Sequence, residues 1–279
     1  NEIKIPSSFT NSVSFWGSGE ADYLVATTNG IKHYAYNGVT MVENAMLNVD
    51  TTNPIAMIAR DPYPDVLVAD SSGLKHYSFS GSDMLENPAL SVAGLTGVLS
   101  VGAAGPNEVD VLIGGDVQHY SFSGGSMVRN AILEPPAGIN PLGIAAGSGG
   151  VDLAVMKEDQ ITWYNFTGSG MSENPALAVT GLSNPKAFAV ADPNGGYDLA
   201  VIDGSEAKHY SFTGSSMIYN SALSVTTGLT APKAIAIRPG SHDRVIVDGT
   251  EVRYYSWNGS SLVYDANKSL MEETIINGE

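Results

Sequence analysis

The chain has 279 residues, of which only 15% are charged, and it contains 31 glycines. This composition is typical of many short strands joined by tight turns, because surface helices are richer in glutamate and lysine. The formal net charge is −16, from 29 acidic and 13 basic residues. Such a charge excludes a nucleic-acid-binding protein, since phosphate contacts need clustered lysine and arginine.

The absence of cysteine excludes both disulfide bonds and thiolate chemistry. A cysteine-free acidic chain that begins at Asn1 without a methionine predicts an exported protein, extracellular or on the cell surface. No apolar run approaches the roughly 18 residues that a membrane-spanning helix requires. We therefore expect no membrane insertion.

The chain consists of six copies of one unit, most clearly seen in segments such as Lys75–Gly81, which reads KHYSFSG. The second aromatic position of this segment recurs at intervals of 43, 43, 44, 46 and 45 residues, and a glycine always follows four residues later. The six tyrosines that mark the units are Tyr34, Tyr77, Tyr120, Tyr164, Tyr210 and Tyr255. A fixed period of this length indicates a repeat fold.

Within each unit the predicted elements follow one order. An apolar strand comes first, and a second apolar strand opens with aspartate, as in DLAVI at Asp198–Ile202. The third strand carries the marker tyrosine. The fourth runs from a methionine through a segment such as NPALSV, as in Met84–Val92. Four strands in about 45 residues, repeated six times, predict a single all-β domain over residues 1–279, a six-bladed β-propeller with four antiparallel strands per blade.

The ends of the chain suggest how the ring closes. The opening segment Glu2–Phe15 is similar to the connector Pro175–Val190, which precedes and includes the first strand of another unit. We therefore predict that Glu2–Pro6 pairs with the last blade and closes the ring. In the alternative, Leu262–Leu270 forms the whole outer strand and residues 1–10 trail from it. A closed ring leaves no free sheet edge that demands a partner, so we expect a monomer.

The units resemble the blades of NHL and YncE-like six-bladed propellers, in which a strand ending in valine and aspartate precedes a strand with a basic and an aromatic residue. The matching strand ends are Val68–Asp70, Val201–Asp203 and Val247–Asp248, and the matching basic residues are Lys75, Lys208 and Arg253. The resemblance implies the fold, and little about function, which resides in sites rather than in folds.

One unit also resembles the FG-GAP/VCBS blade, whose calcium loop reads D-x-N-x-D-G before D-L. The segment ADPNGGYDLAVI supplies Asp192, Asn194 and Asp198, but Gly196 stands where the middle aspartate is expected. The resemblance implies a calcium site at these three residues, and Ca²⁺ is the one cofactor that we consider. The other five units lack the motif.

Two polar positions recur through the repeat. The aspartates that open the second strands are Asp22, Asp65, Asp110, Asp152, Asp198 and Asp243. They could line an axial mouth and bind cations, but a residue kept in every blade favours structural bonds to backbone N–H groups near the first hairpin. The histidines are His33, His76, His119 and His209, which lie too far apart for one zinc ion and are replaced elsewhere by Trp163 and Tyr254, so a packed flat ring is favoured.

Ligand contacts are expected where the copies differ. The loops between the second and third strands carry acidic residues, which suit Ca²⁺ or a basic partner, although solvated turn acids would look the same. Trp163 would offer an aromatic platform for a sugar, and His242 is a single histidine in a loop beside Asp243. The candidate ligand-binding residues are Asp70, Asp116, Glu158, Asp203, Glu206, Asp248, Trp163 and His242.

These features favour a non-catalytic binding module that recognises a protein or a glycan. No G-x-S-x-G, H-E-x-x-H or glycine-rich phosphate loop is present, so we name no catalytic residue and expect no enzyme. The alternative is a propeller hydrolase or lyase with a divalent metal at the axial mouth. An enzyme of that kind requires at least three oxygen ligands that converge in one pocket.

Overall fold

The computed structural model describes residues 9–16, 21–60, 65–105, 107–146, 152–191 and 197–271. These residues form six small antiparallel sheets, each with four strands in sequential order, and in two of them a short fifth strand also pairs with the third. The sheets are arranged as the blades of a six-bladed β-propeller. The predicted fold is therefore confirmed.

The first three blades contain strands β1 to β13. Blade one consists of β1 Phe9–Phe15, β2 Asp22–Thr27, β3 Gly30–Tyr36 and β4 Met41–Glu43. Blade two consists of β5 Ala56–Arg60, β6 Asp65–Asp70, β7 Gly73–Phe79, β8 Met84–Glu86 and β9 Val92–Ala93. Blade three consists of β10 Val98–Gly105, β11 Glu108–Ile113, β12 Asp116–Ser123 and β13 Ser126–Arg129.

The last three blades contain strands β14 to β26. Blade four consists of β14 Gly143–Ala146, β15 Leu153–Met156, β16 Gln160–Phe166 and β17 Met171–Thr180. Blade five consists of β18 Pro185–Ala191, β19 Asp198–Asp203, β20 Glu206–Phe212 and β21 Met217–Tyr219. Blade six consists of β22 Pro232–Ile237, β23 Arg244–Asp248, β24 Glu251–Trp257, β25 Leu262–Tyr264 and β26 Leu270–Met271.

The hydrophobic core lies between the blades. Six clusters of buried side chains join each blade to the next, and one of them joins blade six to blade one. The second strands are buried almost throughout because a neighbouring blade covers each of their faces. This explains their continuous apolar sequence, since a strand with one face in water would alternate polar and apolar residues.

The outer strand departs from the prediction in five blades. Instead of running unbroken, it stops after three or four residues and turns into a short 3₁₀ helix. The helices are Ala45–Leu47, Pro88–Leu90, Ala131–Leu133, Ser221–Leu223 and Ala266–Lys268. Only β17 in blade four runs through as one strand of ten residues.

A side chain just after the break bonds back to the third strand in all five of these blades. In blade two, Ser91 Oγ accepts the N–H of His76 at 3.0 Å, and Asn87 Oδ1 caps the helix by accepting the N–H of Ala89 at 3.2 Å. Blade four has Ala178 at the position of Ser91, and its outer strand runs through. The break therefore goes with a side chain that can replace a ladder bond.

Blade six meets blade one through side-chain packing in the described part of the chain. The outer position of blade six belongs to its own unit, because β25 and β26 both pair with β24. The ring of Tyr23 stacks on Tyr254 at 6.5 Å, and its hydroxyl donates to the carbonyl of Lys268 at 2.9 Å. This matches the alternative in which Leu262–Leu270 forms the outer strand. The segment Glu2–Pro6, predicted to pair there, lies outside the described residues.

A search of the described residues for a helix both long and apolar enough to cross a membrane finds none.

Candidate functional site

The two faces of the propeller carry different loops. We call the connector face the side that holds the turns between second and third strands and the segments that lead from one blade to the next. We call the hairpin face the opposite side, which holds the turns between first and second strands and between third and fourth strands. The candidate acids at the ends of the second strands lie on the connector face.

Three of these acids fasten the connectors. Asp203 is 3% exposed, and its Oδ1 accepts the backbone N–H groups of Ser183 at 2.9 Å and Asn184 at 2.6 Å. Asp248 accepts in the same way from Thr230 and Ala231, at 2.9 and 2.6 Å. Asp70 accepts from the hydroxyl of Thr51 at 3.0 Å and the N–H of Ser72 at 2.8 Å. Each of these aspartates therefore holds the segment that arrives from the preceding blade.

A cation from the third strand completes each of these sites. Nitrogen–oxygen distances are 2.9 Å for Lys75 and Asp70, 2.6 Å for Lys208 and Asp203, and 3.1 Å for Arg253 and Asp248.

These contacts also set the charge state of Asp70. Burial alone would raise its pKa, but hydrogen bonds from Ser72 and Lys75 outweigh burial and lower the pKa to about 2. The aspartates and the basic residues that carry the resemblance to NHL blades therefore form ion pairs with each other within the scaffold. The structure corrects the expectation that Asp70, Asp203 and Asp248 face a ligand, because their oxygens are already bonded.

The other three acids of this face are more accessible. Asp116 and Glu158 are exposed, and the one protein bond recorded at Asp116 is from the N–H of Gly138 at 3.2 Å. Glu206 is partly exposed and lies 3.7 Å from Lys208. Their role as ligand contacts stays a prediction.

The recurring aspartates on the hairpin face pair with the recurring histidines. The shortest pair is in blade three, where Asp110 Oδ1 lies 2.8 Å from His119 Nδ1, and both residues are almost fully buried. In blade five, Asp198 Oδ2 lies 3.2 Å from His209 Nε2 and its Oδ1 accepts the N–H of Phe212 at 3.0 Å. The carboxylates therefore bond to the third strand, one strand beyond the hairpin that we predicted. None of the six recurring aspartates lines the axial cavity.

Local contacts make these pairs electrostatically different. Burial raises the pKa of Asp110, and the bond to His119 only partly opposes it. Burial likewise raises the pKa of Asp198, but its bonds from His209 and Phe212 outweigh burial and lower it. In blade one His33 has no hydrogen bond to either ring nitrogen, and burial lowers its pKa to about 4.

Trp163 takes the place of histidine in blade four. Its side chain is fully buried and packs edge-on against Tyr197 of blade five, with ring centroids 5.3 Å apart. Tyr197 donates to Asp152 at 3.4 Å, so the aspartate of blade four is bonded from the neighbouring blade. This burial corrects the expectation that Trp163 contacts a ligand, and supports its other interpretation as a packed flat ring.

His242 lies between blades five and six, where its ring packs edge-on against His209 and Trp257 at 6.2 and 5.6 Å. Sequence reasoning missed the residue beside it, Arg244, which is fully buried. Its Nη2 lies 3.4 Å from His209 Nδ1 and from the carbonyl oxygen of His242. The signal in the sequence was the run DRVIV, where arginine stands at a position that is apolar or tyrosine in the other units.

The calcium prediction falls mostly outside the described residues. Asp192 and Asn194 lie there, while Asp198 is engaged by His209, Ser211 and Phe212 as a structural acceptor. Within the described residues no three His, Cys, Asp or Glu side chains are grouped in a way that could hold a metal ion.

One opening lies on the propeller axis. The first strands of all six blades surround a cavity of about 510 Å³, within the usual range for small-molecule sites. Its described walls contain no acid, histidine or cysteine, and they consist mostly of aliphatic residues. Met57 and Met156 are among the lining residues and are nearly fully buried.

The few serines in these walls bond to the neighbouring blade. Ser12 Oγ accepts the N–H of Met57 at 3.1 Å, and Ser14 Oγ accepts the N–H of Ala59 at 3.0 Å. Ser100 makes a longer bond of the same kind to Ile144, at 3.4 Å. The hydroxyls therefore serve the edges of the inner strands.

The mouth of the cavity on the connector face is formed by one residue in or just before the first strand of each of blades two to six. In blades three, five and six this residue is the extra one of an irregular pairing, at Leu99, Lys186 and Lys233. Irregularities of this kind turn a side chain away from the ladder. The corresponding residues Ile55 and Leu142 precede β5 and β14. We call these five residues the mouth.

The mouth differs from blade to blade. Ile55, Leu99 and Leu142 are 39%, 55% and 50% exposed, although they are large aliphatic residues. Lys186 is exposed, and Lys233 is half-buried beside it in the next blade. Three consecutive blades thus contribute apolar side chains and the next two contribute ammonium groups. Exposed apolar surface at an opening is typical of binding sites.

The fold and this opening define the class of the protein as a six-bladed propeller with an axial pocket. It is similar to a functionally unknown protein from Desulfotomaculum acetoxidans, with a TM-score of 0.60 and 13% identity over 88% of this chain and 78% of that one. It is also similar to a protein from Lactobacillus plantarum, with a TM-score of 0.59 and 12% identity over 94% and 85%. No family model and no curated protein matches the chain. At such identities the likeness shows the fold alone.

Proposed function

We propose that this protein is a non-catalytic binding module that takes its ligand at the mouth of the axial cavity. The observation that carries the proposal is the contrast between the mouth and the rest of the repeat. Candidate polar residues such as Asp70, Asp203 and Asp248 are bonded to the chain itself, whereas the mouth presents exposed leucine, isoleucine and lysine over a cavity of about 510 Å³. The expected placement of the protein outside the cell is compatible with this role and stays a prediction.

The lack of native cysteine allows a direct test. A Leu99→Cys variant labelled with acrylodan places an environment-sensitive dye at the mouth. We expect its emission to shift with at least one member of a panel of maltotriose, chitotriose, an uncharged leucine tetrapeptide and sodium decanoate. The matched control is Val39→Cys, which lies between the third and fourth strands of blade one, on the hairpin face, and is 74% exposed. No shift at Leu99 with any member, or equal shifts at both positions, would overturn the proposal.

The hydrolase alternative has one observation in its favour. In blade three, Ser121 Oγ lies 3.1 Å from His119 Nε2, whose other nitrogen contacts Asp110. This order of groups can activate a serine. However, similar aspartate–histidine pairs recur in blades two and five at 3.3 and 3.2 Å, which favours a structural role. Turnover of p-nitrophenyl acetate that Ser121→Ala abolishes would support the hydrolase instead.

A further inference from the structure

We infer that the axial cavity binds an extended peptide, whose backbone pairs with the inner edge of β18 in blade five. The inference rests on the proposed function and names the class of its ligand. Its first support is the orientation of the strand. Ala187 and Ala189 of β18 pack into the seam with blade six. Phe188 and Val190 pack into the seam with blade four. Since the side chains enter the seams, the backbone edge of β18 faces the axis.

The second support is how other blades close this edge. On the axial side of a first strand, alternate N–H and C=O groups have no partner in their own blade. In blade two, Ser12 Oγ of blade one accepts the N–H of Met57 at 3.1 Å and donates to its carbonyl at 3.5 Å. Ser14 Oγ accepts the N–H of Ala59 at 3.0 Å. Ser100 of blade three bonds in the same way to the edge of blade four.

The edge of blade five has no such serines. By strand register, Phe188 and Val190 are the counterparts of the two capped residues of blade two. The counterpart of Ser14 is Ala145 of blade four, and two residues before it stands Gly143, so no hydroxyl is present. Within the described residues no side chain bonds to the N–H or C=O of Phe188 or Val190. These backbone groups are therefore presented to the cavity.

The length of the neighbouring strand singles out blade five. The edge of β18 lies beside β14, which has four residues, whereas β18 has seven. Part of the edge of β18 therefore has no strand alongside it. The edges of blades three, six and one also face alanine or isoleucine, but the first strands beside them have five, seven and six residues.

An extended peptide matches such an edge. Its N–H and C=O groups point to one side at every second residue, with the same spacing as those of β18. Pairing with a sheet edge is a recurring mode of peptide recognition, in which main-chain hydrogen bonds supply the affinity. A purely apolar ligand would instead leave the backbone groups of Phe188 and Val190 buried without partners, which is costly. A divalent cation would find no carboxylate in the described lining of the cavity.

Isothermal titration with the uncharged leucine tetrapeptide tests the inference from the side of the ligand. Methylation of the amide nitrogens of its second and third residues places one methyl group on each edge of the extended chain. We expect this change to weaken binding about tenfold or more, because pairing is blocked while the apolar side chains are kept. A peptide held by its side chains alone would keep its Kd.

Ala145→Ser makes the matching change in the protein. It places a hydroxyl where blade one has Ser14, so that Val190 gains the kind of partner that Ala59 has. The Kd for the tetrapeptide should rise about twofold to tenfold, since the ligand would compete with this cap. The matched control is Ala145→Cys, which adds a side chain of similar shape whose sulfur is a weak acceptor, and it should leave the Kd nearly unchanged.

Equal weakening by Ala145→Ser and Ala145→Cys would contradict the inference, because it would indicate a steric effect. Unchanged binding of the methylated tetrapeptide would also contradict it, and so would no binding of the parent tetrapeptide. In that last case a shift of the dye at Leu99 with a glycan or decanoate would leave the proposed binding function standing, whereas no shift with any compound would overturn both.

Discussion

The seams between the blades and the mouth of the cavity use polar residues in opposite ways. At the seams, Asp110 and His119 are almost fully buried, bonded to each other, and matched by similar pairs in other blades. At the mouth, Lys186 and Leu99 are exposed, and the same position carries a different residue type in different blades. One region holds the scaffold together and the other presents a surface to solvent.

This difference teaches how a repeated fold separates structure from function. A buried polar group that needs a hydrogen-bond partner in every blade is expected to recur, with its partner, in every copy of the repeat. A ligand on the axis meets each blade once, so the residues that contact it are free to differ. We therefore expect substitutions at the seams to change stability and substitutions at the mouth to change binding, and the following predictions test that division in order of effect.

The largest effect is expected at the seam of blade three. His119→Phe would leave the Asp110 carboxylate buried without its partner, and loss of one member of a buried pair costs about 3–5 kcal/mol. Urea unfolding at pH 7 measures this loss. The matched control is His33→Phe, because neither ring nitrogen of His33 is bonded, and it should change the free energy of unfolding by about 1 kcal/mol or less. Similar losses in both variants would contradict the assigned roles.

The burial of His33 should also appear in the pH dependence of stability. The pKa of His33 is about 4 in the folded protein, below the value near 6.5 of an exposed histidine. Between these values the unfolded chain binds a proton that the folded one does not, so stability is complete above pH 6.5 and falls as the pH drops toward 4, by about 3 kcal/mol. His33→Phe should remove this part of the slope in unfolding experiments from pH 7 to 4. An unchanged slope would show that His33 is not its source.

A smaller loss is expected where the connectors are fastened. Asp203→Ala removes the acceptor for the N–H groups of Ser183 and Asn184 and leaves Lys208 without this partner. We expect a loss of about 2–3 kcal/mol in thermal or urea unfolding. Asp116→Ala, at an exposed aspartate with one recorded bond, should lose about 1 kcal/mol or less. Equal losses would indicate that the hydrogen bonds and the ion pair of buried Asp203 add no stability beyond that of an exposed aspartate.

The smallest effect on stability is expected at the mouth. Lys186→Gln and Leu99→Ser alter exposed side chains, so the free energy of unfolding should change by about 0.5 kcal/mol or less. In calorimetric titrations the same variants should weaken the binding of the panel compound that binds most tightly. A stability loss as large as that of Asp203→Ala would place these residues in the scaffold and remove the distinction between the two regions.

The repeat made the fold predictable, because strands, turns and landmarks recur with one period. The outer strand was predicted less well, since its break goes with a side chain such as Ser91 that bonds to the third strand, and side-chain bonds of this kind leave no hydrophobic pattern. The structural interpretation of the recurring aspartates was supported, although their partners lie on the third strand. That error arose because the sequence position of an aspartate shows which turn its backbone is near. It does not show which strand the side chain bonds to.

The site was harder to predict than the fold. Acids such as Asp203 stood out in the sequence by their charge, yet they are bonded inside the scaffold. Leu99 and Lys186 are ordinary residues in sequence and become distinctive only because an irregular pairing turns them toward the axis. The alternation of apolar and polar residues along a strand does not reveal such an irregularity. The mouth can therefore be recognised only in the three-dimensional structure. That function lies where the copies of the repeat differ stays a prediction.

Methyl NMR of the methionines tests the central claim most directly. Met57 and Met156 line the axial cavity, whereas Met46, Met127 and Met217 lie in or beside the outer strands. Titration with the panel compound that binds most tightly should shift the Met57 and Met156 methyl signals and leave the other three in place. Shifts at Met46, Met127 and Met217 without any at Met57 and Met156 would contradict the account, because they would place the ligand in repeated sites on the blade perimeter.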